Sequence, residues 1–140
     1  MVSGTEQQPE LRLFRPDDLG AVQAVIFRTI DACYAEVYPP QALAFFKEFH
    51  SKENILEDSG QGHTFVLEVD GRIVGAGGLS KATIKRVFVD PEFQHRGLGQ
   101  LMMARLEEQA RERGVTTVDL DASLPSKRFY DFLGYQGDEL

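Results

Sequence analysis

The residues best suited to chemistry in this chain form a glycine-bearing segment, Gln94 to Gly99, just before an expected helix. The first turn of a helix has backbone N–H groups without intrahelical partners, and the helix dipole makes that end positive. Such an end binds phosphate without a cationic side chain. Gly97 and Gly99 have no Cβ to stand between the backbone and an approaching anion. The segment therefore predicts a phosphate-binding loop.

The same spacing also fits a plain turn before a helix, and it lacks the signatures of two common phosphate loops. A dinucleotide-binding fingerprint needs a third glycine where this chain has Met102. A P-loop needs Gly-Lys-Ser/Thr where this chain has Gly99-Gln100-Leu101. A phosphate loop at this position belongs to neither class.

Two motifs resemble those of the GNAT superfamily of N-acetyltransferases. Val87-x-Val89-x-Pro91 followed by Gln94-x-x-Gly97-x-Gly99 resembles the loop that binds the pyrophosphate of acetyl-CoA. Residues 122–135 resemble the family's closing motif, in which a Phe-Tyr pair on a short helix is followed by a glycine and an aromatic residue. The resemblance covers residues 11–135, with the two motifs in the family's order.

The resemblance implies an α/β fold of the α+β type. We expect a mixed, mostly antiparallel twisted sheet with a central parallel strand pair that splays apart, flanked by about four helices. Residues 1–10 are predicted to be a flexible tail, and residues 11–140 a single N-acetyltransferase domain. The C-terminal strand region is expected to be shortened, because the family usually continues through a final strand pair.

Hydrophobic periodicity and turn residues place the elements that must hold these motifs. They predict strands at 11–14, 64–69, 72–79, 82–89 and 115–120, and helices at about 17–33, 40–50, 98–113 and 125–132. Residues 51–62 are predicted to be a polar loop with a little helix. Ile84 and Val87 cannot share a face of a regular strand, so a bulge is expected between them.

The resemblance implies acetyl-CoA as the cofactor. Its pantetheine arm would pair with the main chain of the splayed strand at 87–89, much as another strand would. Ser123 stands where many family members have Asn, and Ser126 where many have Ala. The implied cofactor-binding residues are Val87, Phe88, Val89, Gln94, His95, Arg96, Gly97, Leu98, Gly99, Gln100, Ser123, Ser126 and Phe129.

Tyr130 matches the family's usual general acid, although by itself it also fits an aromatic core residue with its hydroxyl at the surface. A neutral amine must attack the thioester carbonyl, and coenzyme A must leave as a thiol. Free tyrosine and a free thiol have pKa values of roughly 10 and 8.5, so a tyrosine could protonate the sulfur. Backbone N–H groups near Val89 would polarise the thioester oxygen. We expect direct transfer in a ternary complex, with Cys33 far from both motifs.

The acceptor side is less specific. In the family the first two helices wall the acceptor pocket, which makes Tyr34, Tyr38 and Phe46 candidate substrate contacts; they also fit ordinary core packing. The general base stays open between water and four side chains: His63, Glu68, Asp121 and Glu36. A charged patch at Lys81, Lys85 and Arg86 is expected to be solvated.

Composition bounds the partners. The net charge of −7 and pI of about 4.9 argue against non-specific binding to nucleic acid and against anionic membrane surfaces. Cys33 is the single cysteine, so no intrachain disulfide forms, which suits the cytoplasm. No apolar run approaches the roughly 18 residues of a membrane span. No metal site is expected.

Three functions are compatible with these features. The first is acetyl transfer from acetyl-CoA to a small-molecule primary amine. The alternatives are acetylation of a protein N-terminus or lysine, and a non-catalytic acyl-CoA-binding sensor domain. An exposed edge strand tends to recruit pairing, so a homodimer is also expected.

Overall fold

The structure, a computed structural model, describes residues 8–137 of the chain. Within these residues the chain forms five strands and five α-helices. The strands are β1 Glu10–Leu13, β2 Thr64–Val69, β3 Arg72–Ser80, β4 Thr83–Val89 and β5 Asp119–Leu120. The helices are α1 Leu19–Thr29, α2 Pro40–Phe49, α3 Lys52–Ser59, α4 Leu98–Glu112 and α5 Lys127–Phe132. A π-helical turn, Ile30–Tyr34, extends α1.

The strands form one sheet in the order β1-β2-β3-β4-β5. All neighbours are antiparallel except β4 and β5, which are parallel. That parallel pair matches at only two positions, Thr83 with Asp119 and Ile84 with Leu120, so the second half of β4 has no strand partner on its β5 side. This mixed sheet with a separating parallel pair confirms the predicted fold class.

Helices cover both faces of the sheet, as alternation along the strands requires. On β2, Phe65 and Leu67 belong to the apolar cluster that includes Met102 of α4. Val66, between them, belongs to the cluster that includes Ile26 of α1. The sheet is therefore the rigid middle layer that fixes α1 relative to α4.

The glycines of β3 mark close approaches between elements. A Cβ on Gly77 would lie 2.9 Å from Cγ of Met102, so α4 packs directly against the strand backbone there. A Cβ on Gly75 would lie 3.0 Å from the carbonyl oxygen of Phe88 on β4. Both contacts bring α4 and β4 nearer to β3 than a larger residue would allow.

The predicted bulge in β4 is confirmed. Ala76 pairs with Phe88 but Gly78 pairs with Lys85, so one residue of β3 faces two of β4. The bulge lets Ile84 and Val87 both pack against the α4-side cluster. It also turns the strand away from β5.

The prediction of a solvated patch was wrong for Arg86, which sits in this bulge with a φ of 56°. Its side chain is only 10% exposed and forms an ion pair with Asp58 of α3. Its guanidinium carbon also lies 5.5 Å from the centre of the Phe49 ring. The bulge aims Arg86 inward, where a carboxylate and an aromatic face receive it.

Two predicted elements were wrong in extent. Residues 52–59, expected in a polar loop, form α3 because Ser51 caps the helix (its Oγ accepts the Asn54 N–H at 3.2 Å) and Ile55 is buried in the α1-side core. The expected strand 115–120 shortens to β5, because the Val115 N–H still closes the end of α4 by donating to the Ala110 carbonyl. Residues 1–7 of the predicted tail lie outside the described residues, and β1 begins at Glu10.

Candidate active site

The predicted phosphate loop bends sharply just before α4. His95 and Gly97 both have positive φ angles, 65° and 80°, and Gly97 is the N-terminal cap of α4. The left-handed φ explains glycine at position 97. A Cβ there would meet no atom within 4 Å, so the space in front of the first turn of α4 is open. An anion can therefore approach the N–H groups of that turn.

Gly99 differs from the sequence-based expectation. A Cβ at this position would lie 3.0 Å from Cζ of Phe129, so an aromatic ring, rather than open space, lies against Gly99. Glycine at 99 allows α5 to pack against the first turn of α4. The loop is thereby joined directly to the helix that carries Tyr130.

The end of β4 presents backbone groups away from β3. The Asp90 N–H donates to the Val74 carbonyl at 2.8 Å, so by strand alternation the peptide groups of Val89 point to the other side. The Val89 carbonyl accepts hydrogen bonds from Gln94 Nε2 at 2.9 Å and from Thr29 Oγ1 at 3.3 Å. Gln94 thus ties the phosphate loop to the end of the strand.

These parts border one cavity of about 460 Å³, which is lined by the second half of β4, the end of α1 and α5. This volume falls within the range of small-molecule and cofactor sites. Its lining residues are Thr29, Cys33, Tyr34, Val87, Phe88, Val89, Gln94, His95, Gly97, Gly99, Gln100, Pro125, Ser126, Phe129, Tyr130 and Phe132. The cavity therefore brings the phosphate loop and the Phe-Tyr motif into one space.

Tyr130 lines this cavity although it is only 8% exposed. Burial raises the pKa of its hydroxyl to about 12, and the nearby Tyr34 adds to the rise. Burial also raises the pKa of Tyr34. Because both pKa values lie above the ordinary tyrosine value, both phenols keep their protons at neutral pH and can donate hydrogen bonds.

The three candidate acceptor contacts form a cluster of rings. Tyr34 packs edge-on against Phe46 with ring centres 5.1 Å apart, and Tyr38 packs against Phe46 at 4.9 Å. Tyr34 reaches the cavity, whereas Tyr38 and Phe46 stand behind it. The Tyr38 hydroxyl accepts the Leu124 N–H at 2.9 Å, which connects the turn after α1 to the turn before α5.

A sequence model of the acetyltransferase (GNAT) domain family matches residues 34–139, three quarters of the chain. The chain belongs to the GNAT family. It is an acetyl-CoA-dependent acetyltransferase, and its mixed sheet with five helices is the fold of that family.

Similar proteins agree with the family assignment. The chain is 23% identical over 127 residues to an uncharacterised N-acetyltransferase of Escherichia coli strain K12, covering 91% of this chain and 81% of that protein. It is 35% identical over 86 residues to the glucosamine 6-phosphate N-acetyltransferase of Trypanosoma brucei brucei, covering 54% of this chain and 58% of that protein. Its fold matches the PaiA N-acetyltransferase of Thermoplasma acidophilum, solved in complex with coenzyme A, with a TM-score of 0.78 at 17% identity, over 91% of this chain and 87% of that chain.

Most residues that the sequence assigned to the cofactor lie around this acetyltransferase's cavity. Three do not line it. Arg96 turns back to the Glu92 carbonyl at 3.3 Å, Leu98 is buried in the α4-side core, and Ser123 contacts Ser126 with 2.6 Å between their hydroxyl oxygens. In the residues that the structure describes, no helix has the length and apolar character needed to cross a membrane.

The expectation that Cys33 lies far from both motifs was wrong. The π-helical turn carries it into the cavity, where its Sγ is 3.8 Å from Gln94 Nε2. The predicted helix 17–33 covered this turn, but periodicity did not show that it would be π-helical. Three other lining residues were also missed: Thr29, Pro125 and Phe132.

None of the four side chains considered as general base lines the acetyltransferase's cavity. His63 bonds Gln109 at 3.2 Å and contacts Arg113, both on α4 or its end. Glu68 is paired with Arg12 of β1. Water is the remaining alternative from the sequence.

Proposed function

We propose that residues 11–140 form one catalytic domain that acetylates a small-molecule primary amine by direct attack in a ternary complex. The observation that carries this proposal is the shared cavity: the open first turn of α4 and Tyr130 border the same space. The phosphates and the acetyl end of one extended cofactor would then contact both at once.

The residues present fit acetyl-CoA. The first turn of α4 would hold the pyrophosphate through backbone N–H groups, since no atom occupies the space before Gly97. The second half of β4, which has no strand partner on its β5 side, would bind the pantetheine arm there. It would do so through the main chain of Val87 and Val89, with Phe88 between them. Acetyl-CoA supplies an activated acetyl group as a thioester. The other residues proposed to line its site are Gln94, His95, Gly99, Gln100, Ser126 and Phe129, whereas Arg96, Leu98 and Ser123 lie outside the cavity lining.

Tyr130 is proposed as the proton donor to the leaving sulfur. Its raised pKa, about 12, keeps the phenol protonated but widens the gap to a thiol's pKa of roughly 8.5. Full donation is therefore favourable only when the amine nitrogen gives up a proton in the same event. Until then the hydroxyl stabilises negative charge on sulfur by a hydrogen bond.

A small-molecule acceptor is supported by the cavity's dimensions and by the substrate named for the Trypanosoma brucei brucei relative, a sugar phosphate. Tyr34 would contact the acceptor directly. Tyr38 and Phe46 would hold Tyr34 in place. Acetylation of a peptide N-terminus is the competing outcome of the experiment below.

The test combines an acceptor screen with intact-protein mass spectrometry. We expect coenzyme A release with small primary amines, intersecting initial-velocity lines, and no acetylated protein after incubation with acetyl-CoA alone. Turnover of a tripeptide with a free N-terminus but of no small amine would overturn the acceptor class. An acetyl group on Cys33 that an amine then removes would overturn direct transfer.

We further propose a cytoplasmic homodimer. Strand β5 is one of the two edges of the sheet, and no strand in residues 8–137 pairs with its outer side. Val115 and Val118, just before β5, and Leu133 and Tyr135, after α5, are only partly buried, which suits a second copy. Sedimentation as a monomer at tens of micromolar would contradict the dimer. The single free cysteine, Cys33, suits a reducing compartment.

A further inference from the structure

We propose that the acceptor is an amine that is uncharged at neutral pH, with an arylamine as the class that fits best. This inference rests on the proposed function and narrows its substrate. The observation is the charge of the cavity: among its lining residues in the described part of the chain there is no Asp, Glu, Lys or Arg. We call the part of the cavity near Tyr34 and Phe132 its acceptor side, and the residues that line it carry aromatic rings or small polar groups.

A cationic acceptor would find no counter-charge in this cavity. Moving an ammonium group out of water without an anionic partner is costly. Alkylamines are ammonium ions at neutral pH, since an amine with the pKa of a lysine side chain, roughly 10.4, is neutral at pH 7 in only about one molecule in 2,500. A cavity built for such substrates would supply a carboxylate, and this one supplies none.

None of the candidate general bases lines the cavity, and this also favours an acceptor amine that is already neutral. A protonated amine must lose a proton before it can attack, which is a task for a carboxylate or an imidazole. Glu68 and His63 are engaged elsewhere, and His95 belongs to the loop that we assign to the phosphates. An amine whose lone pair is delocalised into a ring is neutral already and needs no such base.

The same charge pattern disfavours a sugar phosphate. The first turn of α4 is assigned to the cofactor's phosphates, so a second phosphate, on the acceptor, would need Arg or Lys to form charge-assisted bonds with it. Arg86 pairs with Asp58, and Arg28 and Arg72 pair with Asp90. None of these guanidinium groups faces the cavity. The acceptor of the Trypanosoma brucei brucei relative is therefore not expected here.

Aromatic side chains supply the binding surface instead. Tyr34 lines the cavity and is backed by Phe46 and Tyr38. Phe132 lines it from α5 and is 75% exposed. An aromatic acceptor would bury the exposed faces of these rings, and each contact between its ring and an aromatic side chain would add to the free energy of binding.

The transfer step balances without any further reactant. The amine nitrogen forms a bond to the acetyl carbon, and the bond from that carbon to sulfur breaks. The sulfur receives the proton of Tyr130, and the proton released by the nitrogen returns to the Tyr130 oxygen through water. The products are an N-aryl acetamide and the free thiol of coenzyme A.

The first experiment compares three probe acceptors: aniline, benzylamine and glucosamine 6-phosphate. We expect kcat/KM for aniline to exceed the other two at least tenfold at pH 7. It should change less than twofold between pH 6 and pH 9, because neither aniline nor Tyr130 titrates there. A higher kcat/KM for either of the other probes, or an acid limb near pH 7 with aniline, would overturn the proposal.

The second experiment changes the charge at the acceptor side. Phe132→Asp should shift the ratio of kcat/KM for benzylamine over aniline upward by about tenfold. Phe45→Asp is the matched control, since Phe45 is 64% exposed on α2 and does not line the cavity. Equal ratios in the two variants would overturn the placement of the acceptor beside Phe132.

Binding gives a readout that does not depend on turnover. Titration calorimetry of aniline into protein saturated with coenzyme A should show binding, and benzylamine should bind at least tenfold more weakly. If coenzyme A itself does not bind, the proposed function fails. If coenzyme A binds and benzylamine or glucosamine 6-phosphate is the better acceptor, only the assignment of the amine class fails.

Discussion

Gly99 and Phe129 are in contact across two different elements: a Cβ on Gly99 would lie 3.0 Å from Cζ of the Phe129 ring. Gly99 belongs to the first turn of α4, and Phe129 precedes Tyr130 on α5. Because Gly99 has no Cβ, α5 can pack closely against the first turn of α4. This close packing sets the distance between the phosphate loop and Tyr130. A cofactor that spans both groups requires this spacing to be fixed.

Gly99→Val should push the Phe129 ring away and move α5. We expect a loss of about 1–3 kcal/mol in the free energy of unfolding, as for overpacked sites, and a larger fall in kcat than in acetyl-CoA affinity. Urea denaturation and steady-state kinetics measure the two effects. Adding Phe129→Leu should restore part of both, because the two sites couple through one contact. Gly20→Val, where a Cβ meets nothing within 4 Å, is the control, and an equal fall in kcat there would contradict the account.

Tyr130→Phe removes the proposed proton donor while keeping the ring in the core. The expected result is a fall of 10²–10⁴ in kcat with nearly unchanged acetyl-CoA affinity, the usual range for general acids. Tyr135→Phe is the matched control. The Tyr135 hydroxyl donates to Glu107 at 2.6 Å, so that variant loses a structural hydrogen bond but no proposed catalytic group. Similar kcat losses in the two variants would show that Tyr130 is only structural.

Much of the fold was predictable because its signals are local. The apolar run of β2, the Asp70-Gly71 turn and the apolar stripe of α4 are each local sequence features, and each element was found where expected. The bulge was predictable because Ile84 and Val87 needed to share a face. The turn at Gly97 before α4 was predictable, because a left-handed turn before a helix favours glycine.

The remainder depends on tertiary contacts that a local pattern does not contain. Cys33 enters the cavity through a π-helical turn, and Phe132 reaches it because Gly99 lets α5 approach α4. Arg86 is drawn inward by Asp58, which lies on a helix that composition alone predicted as a loop. The motif that carries Tyr130 was visible in sequence, whereas the absence of Asp, Glu, Lys and Arg from the cavity lining was not.

The buried His50 should make stability depend on pH. Burial lowers its pKa to about 4, with Arg86 nearby contributing, so the unfolded chain binds a proton first as the pH falls below about 6.5. The stability from neutral His50 is full above that value and is lost on acidification. We expect the free energy of unfolding to fall by about 2 kcal/mol from pH 7.5 to pH 5.

Chemical denaturation across this pH range measures the effect, with His50→Leu as the comparison. The variant should lose most of the slope, leaving a smaller part from His63, whose pKa is also lowered by burial. An unchanged slope in His50→Leu would show that His50 does not carry the pH dependence.

Arg86→Met tests the link between the β4 bulge and α3. It leaves Asp58 without its main partner and removes the guanidinium from the Phe49 ring. We expect a loss of about 2 kcal/mol in the free energy of unfolding, in the range for hydrogen bonds to charged groups. The double variant with Asp58→Leu should lose less than the sum of the single variants. Additive losses would mean that the ion pair contributes nothing.

The most direct test of the central claim is acetyl-CoA binding by titration calorimetry, with Gly97→Glu compared to Gly114→Glu. Both glycines have φ near 80° with open space around the missing Cβ, and they flank opposite ends of α4, so strain and added charge are matched. We expect wild type and Gly114→Glu to bind acetyl-CoA and Gly97→Glu not to bind it. A carboxylate at position 97 would block the phosphate site and repel the phosphates. Equal binding in both folded variants, or none in folded wild type, would contradict the phosphate site.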